Sequence, residues 1–218
     1  MKNLIVGLIV LAAFLTSCGD MGKKAETKAA EAVKEVKTAS TKAYTNIAAG
    51  SHLEWRAAHL GGVQPRFGKV SLQSADVKIT DGQVTNATVV VDLNTLTVEN
   101  FEDGSEQQGQ LKGHLLNEDF FNVSKYPTAT FELTDIAPSS GDYNSTVTGN
   151  LTILEATKSI TFNANVNTSD SGVSIHSEDF SVDRTDWGLT YNVEGTAGVP
   201  ANYLIANDIG LTIKVDVK

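Results

Sequence analysis

The chain has 218 residues, 17 basic against 26 acidic side chains, a net charge of −9 and one cysteine. It is long enough to bury a core, and the lone cysteine excludes an intramolecular disulfide framework or a Cys-rich metal site. Four histidines (His52, His59, His114, His176) leave little material for a metal centre, and the acidic balance argues against nucleic acid, which calls for a basic face.

In chain order, residues 1–17 read as a secretory signal. Lys2 supplies the charged start, and residues 4–15 are almost wholly apolar but too short for an ordinary transmembrane helix. The segment ends Leu15-Thr16-Ser17-Cys18, which resembles the lipobox of bacterial lipoproteins. That resemblance implies cleavage before Cys18, lipidation of its thiol and acylation of the new N-terminus. The mature chain, 18–218, would then be held on a membrane of the bacterial cell envelope by several acyl chains. A plain signal peptide with an incidental cysteine is the alternative.

Residues 18–49 are rich in Ala, Lys, Glu and Thr and carry six lysines against four acidic residues, whereas the chain from Gly50 onward has a net charge of −12. Two valines cannot make an apolar stripe that packs, so the segment reads as a flexible tether between the anchor and a domain spanning 50–218.

From Gly50 the apolar periodicity is two. Ile209, Leu211, Ile213, Val215 and Val217 make the clearest row, followed by residues 143–153 and 160–166. Weaker candidates are 52–58, 66–75, 83–93, 128–136 and 173–183, the last with a parity slip that predicts a bulge near residues 177–179. Eight strands with one apolar face suit a small closed barrel, and a two-sheet sandwich is the rival. In a meander the tight connections (Asp81-Gly82, 138–141, 169–172) fall at one end. The long ones (59–65, 94–127, 184–207) then gather at the other, where a mouth is expected.

Gly113-His114-Leu115-Leu116-Asn117-Glu118-Asp119-Phe120-Phe121-Asn122-Val123-Ser124-Lys125-Tyr126-Pro127, continuing to Phe131, resembles the H-L-x-x-x-D-F-F-x-V-x-K-Y-P signature of the YceI-like family. Supporting matches are His59-Leu60-Gly61-Gly62 with Arg66-Phe67, the run at 149–153 with Thr157-Lys158, and Arg184-Thr185-Asp186-Trp187-Gly188. The chain departs from the family pattern at 195–206 and at Lys112-Gly113. The resemblance implies an all-β, eight-stranded antiparallel lipocalin-like barrel with one short helical excursion. It also implies a long-chain isoprenoid lipid inside, no cofactor, and a homodimer as one state of assembly, since some members pair.

On that expectation Phe67, Leu72, Val89, Val91, Phe120, Phe121, Phe131, Val147, Leu151, Phe162, Ile175 and Trp187 line the chain of the lipid, and His59, Arg66, His114 and Arg184 meet its head group. Small residues on the inward rows (Ala57, Ala87, Ala129, Ser145, Gly149, Ala164) leave room for a ligand or merely fit the taper of the barrel. Arg184 with Asp186 also reads as a loop clamp, and His114 as a structural histidine. Acidic residues crowd the expected mouth, which favours a neutral or weakly polar head group over a polyprenyl phosphate. No nucleophile elbow, HExxH, Walker loop or dinucleotide fingerprint is present, which points away from an enzyme. A structural or adhesive barrel with a filled core and no ligand is the alternative function.

Overall fold

The computed structural model describes residues 21–34 and 41–218. The signal segment and Cys18 lie outside the described residues. Strand β1 is Lys23–Lys24, β2 Glu26–Ala29, β3 Thr41–Tyr44, β4 His52–Ala57, β5 Arg66–Thr80 and β6 Gln83–Asp92. After helix α1 (Glu106–Leu116) come β7 Thr128–Pro138, β8 Ser145–Ile153, β9 Ala156–Ser169, β10 Gly172–Ser177, β11 Phe180–Asp183 and β12 Asp208–Val217.

Each strand from β4 to β10 pairs antiparallel with the next, and β12 pairs with both β10–β11 and β4, which closes the sheet. Strands β10 and β11 are two halves of one stave. The break at 177–179 is the expected bulge: the Glu178 N–H donates to Asn163 O (2.9 Å) and the Ile213 N–H to Ser177 Oγ (2.8 Å). The result is an eight-stranded antiparallel barrel with one helix, as the resemblance implies, and not a sandwich.

Strand β5 runs to Thr80, five residues beyond the alternation that marks it in the sequence. A register shift between Leu72 and Ser74 explains the shortfall. Val70 and Leu72 point inward before it, and Ala75, Val77 and Ile79 after it, so the period-two row changes parity halfway. Strand β7 changes parity in the same way between Leu133 and Asp135.

The three long connections meet at one end. The Glu99 N–H donates to Phe67 O and the Thr97 N–H to Lys69 O (both 2.8 Å), while residue 60 bonds to Leu204 O (3.0 Å). Helix α1 opens with Ser105 Oγ accepting from the Gln108 N–H, which satisfies an orphan donor of its first turn. It packs Leu111, Leu115 and Leu116 against a second apolar cluster built on Leu93, Leu96, Val98 and Val123. The tight turns lie at the opposite end, where the Thr168 hydroxyl donates to Gly82 O (2.7 Å) and Tyr44 Oη donates to Ser169 O (3.2 Å).

The expected tether needs correction where it is described. Residues 21–34 form a strap laid on the barrel: β1 pairs parallel with β11, and β2 antiparallel with β9. The strap then crosses the outside of the wall. Asn150, an outward residue of β8 that is only 5% exposed, accepts from the Glu31 N–H (2.8 Å) and donates to Glu31 O (2.7 Å). Strand β3 pairs with the end of β5, and residues 46–48 bond alongside β12, so the folded unit begins before Gly50. The physical reason is charge and backbone pairing rather than an apolar stripe. Lys24 meets Asp208 (2.6 Å) and Asp183 (3.4 Å), Lys34 meets Asp135, and Lys42 meets Asp170 (2.9 Å). A basic segment is thus matched to an acidic barrel.

Candidate functional site: an apolar barrel interior

Alternation places one side chain in two inside the barrel, and nearly all of these are hydrocarbon. Among the expected lining residues, Leu72, Val89, Val91, Phe131 and Val147 face the cavity. So do Leu151, Phe162, Ile175 and, from the long 93–127 connection, Phe121. Thr130 borders the cavity, but it alternates with the inward Ala129 and Phe131, so its hydroxyl points away; the indole N–H of Trp55 is donated outward to Thr97 O (3.1 Å). The cavity is narrow, with a volume of about 130 Å³. A space so narrow suits an extended hydrocarbon chain.

Three expected lining residues stand elsewhere. Phe67 is 43% exposed on the outer face of β5, one residue out of phase with Gly68, Val70 and Leu72. Phe120 packs sideways between the rings of His114 (5.0 Å) and Tyr191 (5.4 Å). Trp187 is fully buried in the loop that follows β11, with its N–H donated to Leu151 O (2.9 Å), and seals the wall from behind.

The four expected head-group residues are not brought together, and none lines the cavity. Arg184 is 2% exposed and spends its guanidinium on backbone carbonyls: Nε on Ala206 O (3.1 Å), one terminal nitrogen on Leu189 O (2.6 Å) and the other on Ile205 O (3.2 Å). Burial pushes its pKa below the ordinary arginine value, with Asp183 opposing, yet a guanidinium so placed stays charged. It is the clamp of the 184–207 connection. His59 Nδ1 bonds to Asn202 O (2.6 Å), tying two mouth loops together. His114 Nε2 bonds to Asp119 Oδ2 (3.1 Å) while its ring packs edge-on to Phe120 and Tyr191. Arg66 lies over the ring of Phe101 (4.9 Å) and donates to Gln64 Oε1 (3.2 Å), and burial lowers its pKa.

Sequence reasoning missed Leu93 and Leu96, cavity residues that sit in a loop and follow no period, and Trp55, whose weak strand shows the right parity. At Gly149, of the two readings open to the small inward residues, the one that fits the barrel's own packing holds. A Cβ there would lie 2.2 Å from Phe131 Cζ and 2.6 Å from Glu132 O, so the missing side chain makes room for the Phe131 ring rather than for a ligand. Ala87 and Ala129 do line the cavity.

A model of the YceI-like domain matches residues 44–217, the whole barrel from β4 to β12 and the last residue of β3. The chain belongs to the YceI-like family. Among the family's curated members it resembles a UPF0312 protein of Pseudomonas aeruginosa (strain LESB58), 33% identical over 117 residues, 53% of this chain and 56% of that one. A UPF0312 protein of Pseudomonas putida is 32% identical over 126 residues, 54% of this chain and 58% of that one. The chain thus spans little more than half the length of the curated relatives it matches. The YceI-like barrel also resembles the solved structure of Burkholderia cenocepacia BcnA, with a TM-score of 0.58, 18% identity and coverage of 78% and 98% of the two chains. A polyisoprenoid binding domain from Saccharophagus degradans, implicated in plant cell wall breakdown, gives 0.55, 14%, and 81% and 99%. At those identities the likeness is one of fold.

Proposed function

We propose that this YceI-like protein is an envelope lipoprotein that binds, sequesters or carries a long-chain isoprenoid lipid in its barrel, with Cys18 as its membrane anchor. The observation that carries the reading is a narrow interior walled almost entirely by hydrocarbon. The ligand class is taken from the solved polyisoprenoid binding domain of the same fold. Each methylene kept from water gains roughly 0.8 kcal/mol gross. A bilayer offers the same lipid nearly the same environment, so the net preference is small and exchange in both directions is feasible. The wall offers no cation to a phosphate, and the guanidinium of Arg184 is consumed by carbonyls, which favours an isoprenoid quinone over a polyprenyl phosphate. The reading is one of binding, with no chemical step.

Trp55 lines the cavity while Trp187 does not, so indole fluorescence tests the proposal. Titration with an isoprenoid quinone should quench emission saturably at one molecule per chain, and Trp55→Phe should remove most of that response. A linear, unsaturable response would overturn it. The narrow bore also suits a barrel filled by its own side chains, and a chain that takes up neither quinones nor polyprenols would favour that second reading.

A further inference from the structure

The barrel wall has a seam. Strand β10 pairs with β9 only as far as Ser177 opposite Ala164. Beyond the bulge β11 pairs with β12, and its other edge no longer pairs with β9. Phe162 of β9 and Phe180 of β11 stack at 4.7 Å where the two staves part. Above that stack the gap is filled by the strap and by no barrel strand. Lys23 and Lys24 pair with Phe180 and Ser181, the Ala25 N–H donates to Ser181 O (2.7 Å), and residues 26–29 pair with 161–158. The stave is therefore supplied by the segment that leads from Cys18.

Two inward residues of the strap bear on what it does. Ala25 is buried in the same apolar cluster as the cavity wall. Thr27 pairs with Ile160, a cavity residue, and so faces the same side; its hydroxyl is buried without a hydrogen-bond partner. A polar group left dry in an apolar wall destabilises the closed position and is relieved when the strap lifts into water. On the outer side the charged contacts, Lys24 on Asp183 and Asp208 and Lys34 on Asp135, are exposed and hold weakly, while strand pairing and the two Glu31–Asn150 bonds set the strap's register.

We propose that residues 21–34 are a detachable stave closing a side port between β9 and β11, and that lipid exchanges laterally through this port rather than through the mouth. The mouth is roofed by Leu93, Leu96 and Phe121 with helix α1 behind them. The proposal rests on the lipid-binding reading for its cargo, but the port itself is testable without that cargo.

The test is a disulfide that locks the stave, Glu26→Cys with Thr161→Cys, in the full-length chain carrying Cys18→Ser. These two residues are direct antiparallel partners, a spacing that admits a disulfide. Entry of N-phenyl-1-naphthylamine from water and uptake of an isoprenoid quinone from phosphatidylcholine vesicles are timed in the oxidised and reduced forms of the same protein. The reduced form controls for folding. Oxidation should slow both at least tenfold, reduction should restore them, and Thr27→Val should slow both several-fold without a cross-link. Equal rates in the oxidised and reduced forms would overturn the side port. Failure of quinone uptake in every form would sink the lipid reading instead, while the dye rates would still decide the port.

Discussion

Arg184 shows how one residue can look like a ligand site and be something else. A guanidinium at a mouth invites an anion, but here three carbonyls of its own connection surround it. Arg184→Lys keeps the charge and loses the fork, so it should destabilise the fold by about 2–4 kcal/mol in denaturant titration. Arg184→Met should cost about 3–5 kcal/mol, because the carbonyls are then left dry. Neither change should alter the stoichiometry of lipid bound by the fraction that remains folded. Gly149 carries the opposite lesson: Gly149→Ala adds one methyl, yet it must push Phe131 and the backbone at Glu132 apart, at a cost of about 1–3 kcal/mol. Ala129→Phe, at a true lining position, should instead fill the bore and abolish quinone quenching of Trp55 in a chain that still folds.

At the scale of elements, what the sequence makes legible follows alternation. Strand β12 is plain because one parity is apolar from end to end, β8 and β9 because it is apolar over 147–153 and 160–166, and the break between β10 and β11 announces itself as a slip in that parity. Strands β5 and β7 are less plain because bulges flip the inward row, and the parity of Ala75 and Val77, carried back across the bulge, puts Phe67 on the wrong face. Helix α1 and the roof at Leu93 and Leu96 have no period to read, since tertiary packing alone positions them. The strap was illegible for another reason: its partners are backbone edges and distant aspartates, neither of which leaves an apolar pattern in the segment itself.

The strap's clasp has a definite pH window. Hydrogen bonding to Asp208, with the charges of Asp208 and Asp183, raises the pKa of Lys24 against a smaller effect of burial. That contribution is complete below the ordinary lysine value and is lost as pH rises through the raised one. For Asp183, burial pushes the carboxyl up, but the Thr185 hydroxyl and N–H together with Lys24 outweigh it and hold the pKa below the usual range. Its contribution is complete above that range and is lost as pH falls through the lowered value. Protection of the Ala25 amide, normalised to the intrinsic exchange rate, should therefore be flat from about pH 5 to 9 and fall on either side. It should also fall when salt is raised at neutral pH, because the pairs are exposed.

For the whole molecule, a closed barrel and a basic strap on an acidic wall place the chain leading from Cys18 against the barrel's flank. If Cys18 is the anchor we propose, fatty-acid labelling of the wild type should disappear in Cys18→Ala, and the variant should leave the membrane fraction. Equal labelling of both would remove the lipoprotein from the account and leave the barrel's role untouched. Among the described residues no helix is long and apolar enough to cross a membrane.

That the interior holds an isoprenoid chain is checked by mass spectrometry of lipids extracted from the full-length protein purified from its own membranes. One isoprenoid species is expected near one molecule per chain, lost in Ala129→Phe and absent from a control protein of similar hydrophobicity. Extracts that contain only bulk phospholipid, in the same amount for wild type and Ala129→Phe, would contradict it.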